Sequence, residues 1–256
     1  MRVELTVLGS GTSMGVPVIG CPCRVCRSDD PRDKRTRPSI LLRYNQRAVV
    51  IDTGPDFRTQ AIREDMDRLD AILYTHAHAD HILGLDDVRP LNNQGSHVVP
   101  IYGNRPALDG LRRVFKYVFD GNYPWGGVPL IKDHLITGPI ELFGLEFTPI
   151  KVMHGYLEVI GFKFGRAAYL TDYNEIPQAS AHHLRGLEVI FFDALRHMAH
   201  PTHQTIAQAL SEVERFAPKR AFFTHIAHDL SHAETDATLP EHVRLCYDGM
   251  KLEFDF

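Results

Sequence analysis

Three imidazoles and one carboxylate fall within six consecutive positions of this 256-residue chain, in the stretch His76-Ala77-His78-Ala79-Asp80-His81. The stretch follows an apolar run of strand length. Imidazole and carboxylate groups are the usual protein ligands of Zn, Mn and Fe. A turn can aim the first two histidines at one ion, and Asp80 with the last histidine at a neighbouring ion. The alternative is a histidine-rich surface loop that binds nothing.

A second concentration of ligand-type side chains lies near the amino terminus, in Cys21-Pro22-Cys23-Arg24-Val25-Cys26. Three thiolates at this spacing can hold one zinc ion in a tetrahedral site if a fourth ligand comes from elsewhere in the chain. Such a site has no open position, so it would hold a loop together without doing chemistry. Free or redox-active cysteines are the alternative. Cys246, which stands apart from the other three, is predicted to be a small buried hydrophobic residue.

Several apolar segments of strand length end in a ligand-type residue, as the histidine-rich stretch does. The other segments end at His154, Asp172, Asp193 and His225. The carboxyl ends of strands in one sheet can meet, so these side chains are expected to converge on one site. Asp52 ends another predicted strand. It is expected to orient the histidine-rich stretch through hydrogen bonds, with a turn-forming role as the alternative.

The composition is that of an ordinary globular protein, with 44% hydrophobic and 23% charged residues and a formal net charge of -4 at pH 7. This negative balance argues against a general binder of nucleic acids or membrane surfaces. The amino-terminal strand carries no secretory apolar core, and no run is long enough to span a bilayer. We therefore expect a cytoplasmic protein with no membrane partner.

The chain contains no linker, low-complexity tract or internal repeat, so residues 1–256 are predicted to form a single domain. The loop at 20–38 carries the three clustered cysteines. Basic residues from Arg32 to Arg37 within this loop are predicted to form a solvated charged face. The alternative is that they draw anions toward a cleft.

Two further segments near the expected site have predicted roles. The irregular stretch 120–139 is expected to wall a substrate pocket, or to plug a sheet edge, through Tyr123 and Trp125. The last helix is predicted to run from His203 to Phe216, with Thr202 as its cap.

The stretch from His76 to His81 resembles the signature of the metallo-β-lactamase superfamily, and the resemblance covers essentially the whole chain. It implies an α/β (α+β) fold of four αββα layers, with two central sheets flanked by helices. A narrower resemblance rests on residues 9–17, Gly-Ser-Gly-Thr-Ser-Met-Gly-Val-Pro, on the cysteine cluster, and on Asp30-Pro31-Arg32 and Arg37-Pro38-Ser39. These motifs look like those of the PhnP-like phosphodiesterases of the carbon–phosphorus lyase pathway.

The PhnP-like resemblance implies two divalent metal ions in the active site, Mn or Zn, and one structural Zn. One catalytic ion is expected to take His76, His78 and His154. The other is expected to take Asp80, His81 and His225, with Asp172 bridging the two ions. The structural zinc is expected to take Cys21, Cys23, Cys26 and His228.

The same resemblance implies hydrolysis of a small, cyclic phosphodiester derived from ribose or a nucleotide, with a metal-bridging hydroxide as nucleophile. Related tRNA-processing nucleases carry a catalytic histidine in a His-Ser-Thr pattern, which is similar to His203-Gln204-Thr205 here. His203, or the nearby His200, is therefore expected to act as a general acid, worth about 10²–10⁴-fold in rate. Asp80 completes the predicted catalytic set. Nucleic acid is expected as a partner only in the form of a nucleotide or a chain end.

Four alternative functions stay open. The first two are a thioester or lactone hydrolase of the same superfamily and a nuclease that processes tRNA ends. A redox di-iron centre is the third, although such relatives use Glu where His78 stands. A scaffold protein that has lost its metals is the fourth, and the intact ligand set argues against it. The sequence does not set the oligomeric state, and a homodimer is compatible with it.

Overall fold

The computed structural model describes residues 1–92, 97–121 and 127–255. Its strands are β1 Arg2–Gly9, β2 Ser39–Tyr44, β3 Arg47–Ile51, β4 Ala71–Leu73, β5 Val99–Gly103, β6 Ile131–Leu135, β7 Ile140–Leu142, β8 Leu145–His154, β9 Leu157–Phe164, β10 Ala167–Tyr169, β11 Val189–Asp193, β12 Arg220–Thr224, β13 Val243–Leu245 and β14 Lys251–Asp255. Its α-helices are α1 Phe57–Arg63, α2 Ala79–Ile82, α3 Arg105–Val114, α4 Lys116–Phe119, α5 Gln178–Ala181, α6 Ile206–Phe216 and α7 His232–Asp236. Short 3-10 helices cover Pro31–Asp33, Leu85–Asn92 and His182–Leu184.

The strands form two seven-stranded sheets of similar plan. The first has the order β14-β1-β2-β3-β4-β5-β6, and the second has the order β13-β12-β11-β10-β9-β8-β7. Strands β3 to β6 are parallel to one another, as are β10 to β13. In each sheet the remaining neighbours pair antiparallel. Because parallel strands end at a common edge, each sheet offers one edge where the residues that follow its strands lie together.

Three apolar layers hold the four structural layers together. The inner faces of both sheets pack on each other, and this core includes Leu42 and Phe162. The outer face of the first sheet packs under α1 and α3, where Leu108 is buried. The outer face of the second sheet packs under α6 through residues such as Val213. This arrangement confirms the predicted four-layer fold, with each sheet covered by helices on its outer side. Within the described ranges, no helix has the length and apolar character needed to cross a bilayer.

Two local predictions were wrong, for identifiable physical reasons. Helix α6 begins at Ile206 and is capped by Thr205, whose side chain and Gln208 form a reciprocal capping box, so Thr202 is not the cap. His203 therefore lies in the loop before the helix. Arg35 is not part of a solvated face, because its side chain is fully buried beside Asp33.

The irregular stretch contains a regular element that the sequence did not reveal. Strand β6 lies in it and pairs with β5 at the edge of the first sheet. Tyr123 and Trp125 lie outside the described residues. Cys246 is fully buried, as predicted for a small hydrophobic residue.

Candidate metal centre and active site

The histidine-rich stretch connects β4 to the short helix α2, and a close backbone contact fixes its position. The amide of Thr53 donates to the carbonyl of His81 at 2.8 Å. A Cβ placed on Gly54 would lie 2.1 Å from the carbonyl oxygen of Asp80. Only glycine lets the loop after β3 approach α2 this closely. The strand ends of β3 and β4 are thereby joined into one rigid corner that carries the imidazoles.

Ligand-type atoms from distant parts of the chain come together in two groups, and in each group the atoms lie within 4.8 Å of one another. The first group is His76, His78, His154 and Asp172, and the second is Asp80, His81, His225 and Asp172. The structure thus brings all seven predicted ligands of the dinuclear site together, divided as expected.

Asp172 belongs to both groups. Its Oδ2 lies 3.9 Å from Nε2 of His76 and 3.3 Å from Nε2 of His225. Its Oδ1 lies 3.1 Å from Nε2 of His81. One carboxylate therefore faces imidazoles of both groups, which is the geometry that a ligand shared by two ions requires.

Several buried polar atoms of these groups have no hydrogen-bond partner within the described part of the chain. They are Nε2 of His76, Oδ2 of Asp80, Nε2 of His81 and both ring nitrogens of His225. Each buried polar atom left unpaired costs about 1–3 kcal/mol. A cation bound by these atoms would remove that cost. Imidazole nitrogen and carboxylate oxygen are donors that Zn and Mn accept, so the residues present fit a pair of divalent ions.

A second set of hydrogen bonds orients the imidazoles. Nδ1 of His81 donates to Oδ2 of Asp52 at 2.7 Å, and the amide and hydroxyl of Thr75 both donate to the same carboxylate at 2.8 Å. Nδ1 of His154 donates to the carbonyl of Thr202 at 2.9 Å. Nε2 of each ring is thereby left for the centre. Asp52 has the contacts that its predicted orienting role requires.

Three residues of the centre adopt backbone conformations that are uncommon outside glycine. Asp52, Asp172 and His225 have φ values of 65°, 53° and 59°, and each follows a strand of the two sheets. Such conformations cost of order 1–3 kcal/mol each and persist where the surrounding structure imposes them. The left-handed turn directs each side chain off the end of its strand toward the centre.

Charge at the centre is set by burial and by the neighbouring rings. Burial alone would raise the pKa of Asp172, but His225 and His81 beside it hold that pKa well below its usual value. Burial lowers the pKa of His76 well below its ordinary value. The ionised form of Asp172 and the neutral form of His76 are therefore favoured. Burial opposes protonation of His81 and His225, but the carboxylates beside them raise the pKa of His81 well above its usual value and that of His225 to about 9, so bound divalent ions would displace the protons of these two rings.

His203 lies beside both groups and is held by a carboxylate. Its Nδ1 donates to Oδ2 of Asp193 at 2.6 Å. Its ring stacks on His225 with centroids 4.5 Å apart, and lies 4.7 Å from the ring of His154. The sequence predicts that Asp193, at the end of a strand, converges on the site, but it assigns no chemical role to this residue. The position of Asp193 at a strand end was a sequence signal for a site residue, whereas its pairing with His203 is seen only in the structure.

His200 lies farther from the centre, with its ring centroid 5.0 Å from that of His203. Its Nδ1 accepts from the amide of Thr202 at 3.3 Å and lies 3.2 Å from the Thr202 hydroxyl. Burial, with the nearby His203 ring, lowers the pKa of His200. Its Nδ1 is thus an acceptor, and the ring favours the neutral state.

The cysteine loop forms a third group with a different donor set. The thiols of Cys21, Cys23 and Cys26 lie 3.4, 3.4 and 3.6 Å from Nδ1 of His228. A tetrahedral zinc with the usual Zn–S and Zn–N lengths separates sulfur from nitrogen by about 3.6 Å. The hydrogen bond from the Cys26 amide lowers the pKa of Cys23 to about 6, which favours its thiolate, whereas burial raises the pKa of Cys26 to about 11, so zinc would have to displace the proton of that thiol. The residues present fit one tetrahedral zinc.

Buried Arg35 ties this loop to the segment that carries His228. Its guanidinium donates to the carbonyls of Ala227 and Leu230 at 3.0 and 2.8 Å and to Asp33 at 2.9 Å. The same segment begins at the end of β12, where His225 belongs to the second donor group. The loop therefore supports the backbone that presents a predicted catalytic ligand.

Comparison with known proteins places the whole chain in one family. The model of the beta-lactamase superfamily domain matches residues 47–226, more than half of the chain. A crystal structure described as a new diphosphatase from the PhnP family is 52% identical, with a TM-score of 0.94 over 99% of this chain and 98% of that chain. This similarity confirms the predicted resemblance to the PhnP-like group.

Two curated relatives share part of their length with the chain. An octanoyltransferase of Porphyromonas gingivalis is 39% identical over 254 residues, which cover 97% of this chain and 51% of that protein. A ribonuclease Z of Bradyrhizobium diazoefficiens is 35% identical over 140 residues, which cover 52% of this chain and 46% of that protein. The chain thus spans about half the length of these curated relatives. Fold, family match and the two clustered donor groups agree: the chain belongs to the metallo-β-lactamase superfamily of metal-dependent hydrolases.

Proposed function

We propose that the chain hydrolyses the phosphodiester bond of a small, ribose- or nucleotide-derived molecule. The observation that carries this proposal is the shared carboxylate of Asp172 between two donor groups, with the His203–Asp193 pair beside them. Two relatives are named for reactions at phosphorus, a PhnP-family diphosphatase and a ribonuclease Z. Their names support the choice of a phosphorus–oxygen bond over a thioester or lactone.

Two divalent ions would be held by the two donor groups, with Asp172 serving both. When bound, such a pair makes a water molecule nucleophilic near neutral pH and offsets charge on phosphoryl oxygens. Asp52 would keep the His81 ring in the orientation that ligation needs. Asp80, whose Oδ2 has no hydrogen-bond partner among the described residues, would act as a ligand and not as a proton carrier.

His203 would supply the proton for the leaving oxygen. The carboxylate of Asp193 accepts from Nδ1, so it stabilises the imidazolium and leaves Nε2 free for the substrate. His203 is preferred to His200 because its partner is an anion, whereas the partners of His200 are the amide and hydroxyl of Thr202. General acid catalysis by such a group is worth about 10²–10⁴-fold.

The cysteine loop would carry one structural zinc on Cys21, Cys23, Cys26 and His228. Four protein donors complete a tetrahedron, so this ion would have no position for substrate. Its effect on the reaction would be indirect, through the backbone that links His228 to His225.

A second candidate function is hydrolysis of a diphosphate linkage. It is favoured by the 52% identity to a protein described as a diphosphatase. The same ligand groups and the same proton donor would serve, because both reactions displace an oxygen from phosphorus. The two candidates differ in the leaving group, which is a phosphate in one and an alcohol in the other.

The test is activity after metal replacement. Chelated protein is refilled with Mn or with Zn, and kcat/KM is measured on bis-nitrophenyl phosphate, a nucleoside diphosphate, an acyl thioester and a lactone. We expect the phosphodiester to exceed the thioester and lactone by at least about tenfold, the equivalent of 1.4 kcal/mol in transition-state binding. A thioester or lactone that reacts faster would overturn the proposal. A nucleoside diphosphate that reacts fastest would favour the second candidate.

A further inference from the structure

Tyr156 is a fully exposed aromatic residue at the mouth of the candidate active site. It occupies the two-residue turn between β8 and β9, next to Gly155 and two positions after His154. Among the residues that the structure describes, no packing against the ring explains an aromatic residue at this position, because the side chain is fully exposed. An aromatic side chain left fully open beside a centre of reaction is a candidate contact for a ligand.

The turn that carries Tyr156 is held in place from several sides. His154 pairs with Leu157 across the hairpin, and the amide of Gly155 donates to Oδ1 of Asn174 at 2.6 Å. Gly155 has φ of 63°, and a Cβ there would lie 2.9 Å from Cγ2 of Thr202. A glycine is therefore required at this point, and the backbone of the turn is fixed relative to the centre.

A cavity of about 570 Å³ lies against this turn and reaches the centre. Two of its lining residues, His78 and His154, belong to the first donor group, and Tyr156, Leu157 and Pro201 form much of its apolar wall. No lysine, arginine, aspartate or glutamate lines it among the described residues. The cavity therefore suits an uncharged group that extends from a phosphorus atom at the centre, and not a second phosphate.

We infer that Tyr156 is a specificity-determining residue that stacks on the nucleobase of the substrate. This inference rests on the proposed function and narrows its substrate class to base-bearing nucleotides, as opposed to ribose phosphates without a base. Each nucleobase has a flat π-face that stacks on an aromatic ring. With the phosphodiester held at divalent ions that the two donor groups would bind, the base would lie over the Tyr156 ring in the uncharged cavity.

The first test compares two cyclic phosphodiesters that differ only in the base. One is adenosine 2′,3′-cyclic phosphate, and the other is methyl riboside 2,3-cyclic phosphate. In Tyr156→Ala we expect KM for the adenosine compound to rise roughly tenfold, within the range that base stacking supports, with kcat little changed. KM for the base-free compound stays the same. Tyr156→Phe retains the wild-type KM, because the ring is what acts.

The matched control is Ile19→Ala, which truncates another exposed apolar side chain, 98% exposed, that precedes the cysteine loop and does not line the cavity. It should alter neither KM. Equal rises of KM for both substrates in Tyr156→Ala, or no rise for either, would overturn the inference while leaving the phosphodiesterase activity in place.

The second test is binding, which needs no turnover. Isothermal titration of the metal-loaded chain compares adenosine monophosphate with ribose 5-phosphate. We expect the wild type to bind the base-bearing compound more tightly, and Tyr156→Ala to lose that difference. Equal affinities in the wild type would reject the role of Tyr156. Absence of hydrolysis with a preserved difference in binding would reject the proposed function and support the base contact.

Discussion

The two regions that collect metal ligands are built in opposite ways. The cysteine loop supplies three donors from six consecutive residues and needs only His228 from elsewhere. The proposed dinuclear centre, made of the two donor groups that share Asp172, collects its seven donors from strand ends that stretch from His76 to His225. The donors of the first region lie almost all in one short stretch of sequence, whereas those of the second come together only when both sheets are formed.

The two regions also differ in what they leave open. The four donors of the cysteine group lie at sulfur–nitrogen distances that match a closed tetrahedron. The dinuclear centre has a shared carboxylate, a neighbouring His203–Asp193 pair and a cavity beside His78 and His154. Under the proposed function, the closed donor set would stabilise structure, and the open one beside the His203–Asp193 pair would perform chemistry. Substitutions in the two regions should therefore separate stability from rate.

The largest expected effect follows from removing the shared carboxylate. Asp172→Ala deletes a donor of both groups, so we expect kcat/KM on bis-nitrophenyl phosphate to fall by about 10³-fold or more, equivalent to several kcal/mol of transition-state stabilisation. Elemental analysis should show loss of metal from the dinuclear centre and retention of zinc in the cysteine loop. Full activity in a folded variant would remove the distinction between the two regions.

The next effect concerns His203, the proposed proton donor, and depends on the leaving group. His203→Ala should lower kcat by about 10²–10³-fold for an alkyl phosphodiester and much less for nitrophenolate, which leaves without a proton. His200→Ala is the matched comparison, and its loss should be smaller with both substrates. If His203→Ala lost the same factor with both leaving groups, His203 would be a structural residue of the centre.

Much of the candidate site was predictable because its ligand-type residues lie close together in short stretches of the sequence. The spacing from His76 to His81 and the three clustered cysteines each indicate a metal site without knowledge of the fold. The capping box at Thr205 and Gln208 was also present in the sequence, as a threonine followed three residues later by glutamine. A prediction that used it would have started the last helix correctly.

Other features were not predictable, because their cause lies in tertiary contacts. Strand β6 lies at a sheet edge and has three consecutive polar residues, Lys132 to His134, between Ile131 and Leu135, so it lacks the continuous apolar run of the buried strands. Arg35 is buried because two carbonyls and Asp33 receive its guanidinium, and those carbonyls lie almost 200 positions later in the chain. The pairing of Asp193 with His203 likewise joins a strand end to a loop.

Substitutions in the cysteine loop should change the stability of the protein strongly and the rate of the reaction only weakly. Cys26→Ala should abolish zinc retention there and lower the free energy of unfolding by about 3 kcal/mol, by analogy with loss of a loop cross-link. That corresponds to about 10 °C in Tm for a chain of this size. The rate per folded molecule should change only a few-fold at a temperature where the variant is folded. A hundredfold loss of kcat with unchanged Tm would assign this region to the chemistry.

The smallest effect concerns Asp70, a buried carboxylate at the opposite end of β4 from the centre, which is fully paired. It accepts from the Ala48 amide at 2.9 Å and from Arg47 and Arg68 at 2.7–2.8 Å. Burial would raise the pKa of Asp70, but these donors hold it below its usual value.

The pKa of Asp70 is lower in the folded protein than its value of about 3.9 in the unfolded chain, so the ionised carboxylate stabilises the fold at pH values above about 3.9. This contribution to the free energy of unfolding is lost as the pH falls toward the folded-state pKa. Asp70→Asn should therefore cost about 1–2 kcal/mol at pH 7, a modest figure because both arginines are partly exposed. In urea titrations the difference from the wild type should shrink below about pH 4, while kcat on bis-nitrophenyl phosphate stays unchanged. A pH-independent difference would mean that packing, and not the charge, makes Asp70 stabilising; a fall in kcat would mean that the paired end of β4 also shapes the centre.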